Sequence, residues 1–266
     1  MTTEVTTSPY RIDILTIFPG YFSEFVREGI GRIAAEKGLL RFAVTDIRDF
    51  TDDAHRTVDD YPFGGGPGMV MKPEPVCRAI QKVLEADSVE VRRSPETRLV
   101  ILTPRGKVFD QALARELAGA QHLVLVCGHY EGLDERVHEL ATDEVSIGDY
   151  VLSGGEPAAA VVSDAVTRLL PGVLGDAASL TEESFEDGLL EYPQYTRPQI
   201  FDSHAVPDVL LSGNHGKISR WRRDERIAAT ARRRPDLLAR ASLTKDETQL
   251  AERLLQEYKN EKERQD

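Results

Sequence analysis

The stretch Val124–Gly132, VLVCGHYEG, sets the fold of this chain. It closes a short apolar, β-branched-rich run, His122–Cys127, that passes straight into a loop containing glycine. Three more runs have the same character: Arg11–Phe18 (RIDILTIF), Arg41–Ile47 (RFAVTDI) and Thr97–Leu102 (TRLVIL). Helical patterns separate them, over about 20–37, 74–87, 110–117 and 157–170, the last with Pro157 in its first turn and Gly172 just past its end. Strands alternating with helices predict an α/β fold with a parallel sheet. Two further apolar runs also enter glycine-containing loops, Leu99–Gly106 (LVILTPRG) and Val145–Gly155 (VSIGDYVLSGG). Ligands of open α/β sheets bind beyond the carboxyl ends of the strands, where glycine lets backbone come close, so three such loops are expected to form one pocket. Taken singly, each loop reads equally well as a tight turn.

The pocket lacks the signature of a nucleoside triphosphate site, since neither a G-x-x-x-x-G-K-[ST] loop nor a strand–GxGxxG–helix occurs. A ligand gripped by backbone groups and apolar walls fits better. Phe63–Met71 (FGGGPGMVM), after Asp59, Asp60 and Tyr61, is too glycine-rich for helix or strand and reads as a loop that closes over a ligand. Cys77 and Cys127 have no C-x-x-C partner, and the six histidines show no ligand spacing. Both cysteines are expected as small buried hydrophobes, no protein-held metal is expected, and no residue pattern assigns Mg2+. Ser153 and Ser163 lie outside any nucleophile elbow.

The 266 residues suffice for one large or two ordinary domains, and 41% hydrophobic with 29% charged residues excludes a disordered or fibrous chain. No apolar run approaches membrane-spanning length, and Met1–Pro9 is polar, so a cytoplasmic protein is expected. A net charge of −12 argues at first against a nucleic-acid partner. Its distribution reverses that argument. Met1–Leu190 holds 18 basic against 32 acidic residues, whereas Glu191–Arg240 holds 10 against 6. Lys217, Arg220, Arg222, Arg223 and Arg226 crowd around Trp221, a small footprint for a polyanion. A solvated helix face balancing an acidic domain accounts for the same residues. Leu174–Glu191, with six acids, no base and no clean period, reads as a flexible linker. The expected organisation is a ligand-binding α/β domain over 1–173, a linker over 174–191 and a small all-helical domain over 192–266. The last helix of that domain is opened by a Thr244/Glu247 capping box.

Several segments together carry a resemblance: Leu15–Gly20 (LTIFPG), Phe63–Met69 (FGGGPGM), Cys127–Arg136 (CGHYEGLDER), Ser146–Glu156 (SIGDYVLSGGE), Pro171–Gly175, Tyr195–Pro198 (YTRP) and Leu210–His215 (LLSGNH). In this order, over about 10–257, the chain closely resembles the bacterial tRNA (guanine-N1)-methyltransferases, the TrmD family of the SPOUT class. The resemblance implies an S-adenosylmethionine-dependent enzyme with a deep trefoil knot in its sheet, acting as a homodimer on the guanine 3′ of the anticodon, tRNA position 37. It places cofactor contacts on Leu102, Pro104, Gly106, Gly128, Tyr130, Glu131, Ile147, Gly148, Asp149, Tyr150, Val151, Leu152, Gly154 and Gly155. It places the guanine-binding arginine on Arg168. The family's general base is an aspartate, and the matching position holds Glu183, one methylene longer, with Glu182 a close competitor. His129 receives no role. The basic residues Lys217, Arg220, Arg222, Arg223 and Arg226 are then expected on tRNA, the Arg222/Arg226 face more than Arg220, with Trp221 an anchor in the core more than a base-stacking platform. Two alternatives stand beside this reading: another SPOUT methyltransferase acting on a different RNA base, and a non-catalytic RNA-binding module.

Overall fold

The computed structural model describes residues 8–85, 94–175 and 183–264. The chain divides into two compact units, Met1–Gly175 and Asp176–Asp266.

The first unit is built on the strands β1 (Tyr10–Thr16), β2 (Leu40–Asp46), β5 (Thr97–Val108), β6 (His122–Cys127) and β7 (Asp143–Ser146), in the order β2-β1-β6-β5-β7 and all parallel. Two-residue strands β3 (Asp59–Asp60) and β4 (Val70–Met71) pair separately, at the base of the glycine-rich loop. The helices are α1 (Gly29–Glu36), α2 (Pro73–Leu84), α3 (Gln111–Ala118), α4 (Glu135–His138) and α5 (Glu156–Thr167).

Period-2 alternation sends successive side chains of each strand to opposite faces, and both faces are covered. Leu123, Leu125 and Cys127 of β6 join Ile12, Ile14, Leu113, Leu117, Val162 and Val166 in one core. Val124 and Val126 join Leu15, Leu99, Ile101, Val76 and Ile80 in the other. This is why β6 is a continuous apolar run: a central strand of a two-faced parallel sheet has no solvent side.

The structure departs from the sequence expectations at three places in this unit. The helix expected over 20–37 is two 3-10 turns, Pro19–Phe22 and Phe25–Arg27, followed by α1, because Glu28 is extended and Gly29 takes φ +60°. The edge strand β7, read in sequence only as the apolar entry into the Val145 loop, begins two residues earlier at the acidic pair Asp143 and Glu144. Asp143 is neutralised by Arg98 (Nε to Oδ2, 2.7 Å), which lets it stand in the sheet. The run expected over Thr97–Leu102 continues as β5 to Val108, carried past Leu102 by the bulge against β7.

The second unit holds α6 (Asp208–Leu211), α7 (His215–Arg233), α8 (Pro235–Leu238) and α9 (Lys245–Glu263). It also holds a hairpin of β8 (Ile200–Phe201) and β9 (His204–Ala205), so it is not wholly helical. The two turn residues Asp202 and Ser203 both take positive φ, the geometry of a tight hairpin turn. The Asn214 side chain caps α7 by accepting from the Lys217 N–H (3.1 Å). The capping box forms reciprocally: Thr244 N–H donates to Glu247 (2.9 Å) and Glu247 N–H to Thr244 Oγ1 (3.3 Å).

Residues 176–182 of the expected linker lie outside the described residues, but 183–191 packs against these helices. Leu189 is fully buried with Ile227 and Ala251. Asp187 accepts from Arg223 Nη1 (2.6 Å) and Arg226 Nη2 (2.6 Å). The acidic composition that suggested a solvated linker is, at Asp187, an ion-pair partner of α7.

Candidate functional site: a cavity at the carboxyl ends of the strands

The cavity lies where β5, β6 and β7 end, and measures about 430 Å³, within the usual range for a small-molecule site. Leu102 and Pro104 come from β5, Gly128, Tyr130 and Glu131 from the loop after β6, and Ile147, Gly148, Tyr150, Val151, Leu152, Gly154 and Gly155 from the loop after β7. The three loops therefore meet in one pocket. Two expected contacts are absent from its lining, Gly106 and Asp149.

Backbone proximity shapes this pocket. β5 shifts register against β7 between Leu102 and Lys107, both of which face Val145, so 103–106 bulges outward, as chains often do beside a site. At the end of the bulge Gly106 presses on the Glu144–Val145 backbone, with no space for a Cβ. Gly155 N–H donates to Gly128 O (2.9 Å), and a Cβ on Gly155 would stand 2.7 Å from Cys127 Cα. Only glycine permits such approaches.

Two groups that the sequence left without a role turn out to hold the walls. His129 Nε2 lies 2.7 Å from Glu156 Oε2, and Thr16 Oγ1 donates to Glu156 Oε1 (2.5 Å). Glu156 is buried at the start of α5, so one carboxylate ties together the end of β1, the β6 loop and the helix leaving the pocket. No spacing rule finds this trio, because its members stand 27 and 140 residues apart. Arg105 at the pocket donates to Glu135 (2.8 Å) and Glu144 (3.1 Å).

The glycine-rich segment is anchored to the site through its far end: Glu131 N–H donates to Met69 O (2.9 Å) and Met71 N–H to Gly132 O (2.9 Å). Its entry from β3 exposes Tyr61 and Phe63. Around the cavity Tyr130, Tyr150, Val151 and Leu152 are also exposed. Burial raises the Tyr130 hydroxyl pKa, reinforced by Asp59. Cys127 is buried with its thiol pKa raised by desolvation, which leaves it protonated and inert; Cys77 is only half-buried.

Arg168 caps the carboxyl end of α5, its N–H donating to Asp164 O (3.1 Å), and is absent from the cavity lining. The cavity borders the other end of this twelve-residue helix, roughly 18 Å away at 1.5 Å per residue. Glu183 is a half-buried turn residue of the second unit, and Glu182 lies outside the described residues.

The basic block separates into two groups. Arg226 is buried and bonded to both carboxylate oxygens of Asp187, and Arg223 bridges Asp187 and Glu247. Lys217 and Arg220 are exposed, Arg220 pairing with Asp224 (3.3 Å) across one helical turn. Arg222 lies over the Tyr192 ring at 4.8 Å. The expected Arg222/Arg226 surface therefore does not exist as such, because Arg226 points into its own unit.

Among the described residues no cluster of three or more His, Cys, Asp or Glu could hold a metal ion, and no helix is long and apolar enough to cross a membrane. Arg105 is the only Lys or Arg among the described lining residues, and two glutamates hold it. A cavity walled by Leu102, Ile147 and Leu152, floored by glycine backbone and offering no cation to a phosphate suits a nucleoside-like group. Fold and site thus define an α/β protein with a parallel sheet and a cavity at the carboxyl ends of its strands.

Comparison with known proteins narrows the class. The family model described as tRNA (Guanine-1)-methyltransferase TrmD matches residues 10–240. A protein of Dictyoglomus turgidum named tRNA (guanine-N(1)-)-methyltransferase is 52% identical over 251 residues, covering 94% of this chain and 99% of its own length. Proteins of the same name from Geobacillus kaustophilus (52% identical, 95% of this chain and 100% of the relative) and Chloroflexus aggregans (56%, 87% and 89%) are similarly related. The chain belongs to the tRNA (guanine-1)-methyltransferase family.

Proposed function

We propose that this protein is the S-adenosylmethionine-dependent enzyme that methylates N1 of guanine 37 in tRNA. The observation that carries the reading is that the family match runs through all three loops that close the cavity. The cavity residues fit the cofactor. Leu102, Ile147 and Leu152 offer apolar walls for a purine, the Gly128 and Gly154–Gly155 backbone admits it closely, and Glu131 supplies a carboxylate for a cationic ligand. S-adenosylmethionine, when bound, supplies an electrophilic methyl group on its sulfonium.

The remaining work falls to the chain. N1 of guanine carries a proton at neutral pH, so a base must take it as the methyl group arrives, while negative charge spreads to O6. Glu183 is the proposed base, with Glu182 its competitor, and Arg168 donates to O6 where charge develops. Because this carboxylate belongs to a different unit from the cavity, docking of the correct tRNA would complete the site, which is specificity by induced fit. A loop guanine can be unstacked at modest cost.

Three finer features belong to the same reading. The backbone pressing of Gly106 on β7 and of Gly155 on β6 supports a trefoil knot at the cavity. The distance between Arg168 and the cavity supports a homodimer, in which the arginine serving one pocket comes from the second copy. Exposed Val161 on α5 and Val151 beside the cavity give such a copy an apolar surface to cover. A cytoplasmic location goes with a tRNA substrate. Incubating an unmodified tRNA transcript with the protein and S-adenosylmethionine should add one methyl group at N1 of guanine 37 by mass spectrometry of digests. A methyl on another base would favour a different SPOUT specificity, and no methyl would leave an RNA-binding module.

A further inference from the structure

The second unit contains a groove of about 610 Å³ that the reaction does not use. It runs between the segment 192–199, the ends of β9 and α6, and the first turns of α7. Tyr195 and Trp221 form one wall, with ring centroids 6.4 Å apart and planes inclined at 49°. Tyr195 is 49% exposed and Trp221 half-buried, so both rings anchor the wall and still meet solvent. Leu210 and Ile218 add apolar surface, and Gln194, Gln199, Arg197 and Arg222 bring amides and guanidinium groups. None of the described lining residues is acidic, in a chain of net charge −12.

Aromatic faces, amide groups and cations without carboxylates form the combination that holds a single-stranded nucleotide. The base stacks, the amides meet its edge and the cations meet its phosphates. An apolar peptide would need neither the guanidinium groups nor the absence of acids. Exposed Lys217, one turn before Trp221 on α7, extends the positive edge along the direction a strand would follow.

We propose that this groove is a second RNA site, which accepts one unstacked base against Tyr195 and Trp221 while the target guanine is held elsewhere. The proposal rests on the tRNA reading above. It assigns Tyr195 and Arg197 to RNA, neither of which is among the five basic residues expected on tRNA from the sequence. It also makes Trp221 a stacking wall as well as an anchor. Stacking is tolerant of base identity, so the groove would grip the RNA more than read it.

Trp221 is the only tryptophan of the chain, so its emission reports on this groove alone. The full-length protein is titrated with an unmodified tRNA transcript, following emission, filter retention and methylation together. The expected result is quenching of Trp221 that saturates with tRNA binding. Tyr195→Ala should weaken tRNA binding on the order of tenfold without changing its salt dependence, and Tyr195→Phe should restore it. Arg197→Ala should instead flatten the slope of log affinity against log salt by about 0.7. S-adenosylmethionine affinity should stay unchanged in all three. If tRNA is bound and methylated normally by Tyr195→Ala while Trp221 emission does not respond, the groove is no RNA site. Emission that shifts with protein concentration in the absence of RNA would mean that a second copy fills it, and would equally overturn the proposal. A wild-type protein that neither retains nor methylates the transcript refutes the tRNA reading itself, a result distinct from either.

Discussion

At the scale of single residues, the site depends more on where side chains are absent than on where they are present. Gly155→Ala would place a Cβ 2.7 Å from Cys127 Cα and 3.1 Å from both Cys127 Cβ and Gly128 N, contacts that only movement of the β6 loop relieves. We expect this variant to fold and to lose S-adenosylmethionine affinity by roughly tenfold or more, measured by calorimetry. The charged residues behave in the opposite way. Glu183→Gln should abolish turnover in single-turnover assays while cofactor affinity stays within about twofold, because a base acts only as the proton leaves. Arg168→Ala should slow the same step by roughly 10²-fold. Near-normal rates for Glu183→Gln would move the base to Glu182 or elsewhere, and a drop of less than about fivefold for Arg168→Ala would remove it from O6.

Among elements, α7 shows how one helix divides its charges between stability and binding. Its inner arginines are committed: burial alone would raise the Asp187 pKa, yet Arg226 and Arg223 outweigh it and hold the carboxyl below its ordinary range. Arg226→Ala should therefore destabilise the second unit by about 2 kcal/mol in denaturant titration, by leaving Asp187 short of its partner. Lys217→Ala and Arg220→Ala should leave stability unchanged and flatten the salt dependence of tRNA binding, by up to about 0.9 per lost phosphate contact. The capping box at the start of α9 adds a pH dependence. Hydrogen bonding from Arg223, and then from the Thr244 backbone, lowers the Glu247 pKa to about 2. A depressed carboxyl pKa contributes stability that is present above its unfolded value and is lost as pH falls through the folded one. Thermal melts should show Glu247→Gln less stable than wild type at pH 7, with the gap closing between about pH 4.5 and pH 2.

For the whole molecule, the cores of the two units are built from separate residue sets, one spanning the sheet and the other confined to Leu189, Ile227, Ala251 and their neighbours. A chain ending at Gly175 should fold, bind S-adenosylmethionine and sediment as a dimer, and should not methylate tRNA. Unfolding of that truncated chain would mean that the first unit borrows stability from the second. Loss of the dimer alone would place the pairing surface beyond Gly175.

What the sequence determined by itself is local. Apolar β-branched runs marked four strands, and apolar runs entering glycine marked the three loops of the cavity, because period and chain reversal are properties of neighbouring residues. The Thr244/Glu247 capping box was legible for the same reason. Tertiary structure decided everything that depends on distant partners. It assigned Glu156 to Thr16 and His129, and it admitted the acidic strand β7 by setting Arg98 beside Asp143. It also turned Arg226 inward onto Asp187, and brought Tyr195 against Trp221. A charge or an aromatic ring carries no sign in sequence of whether it faces water or a partner tens of residues away, and only the folded backbone fixes that choice.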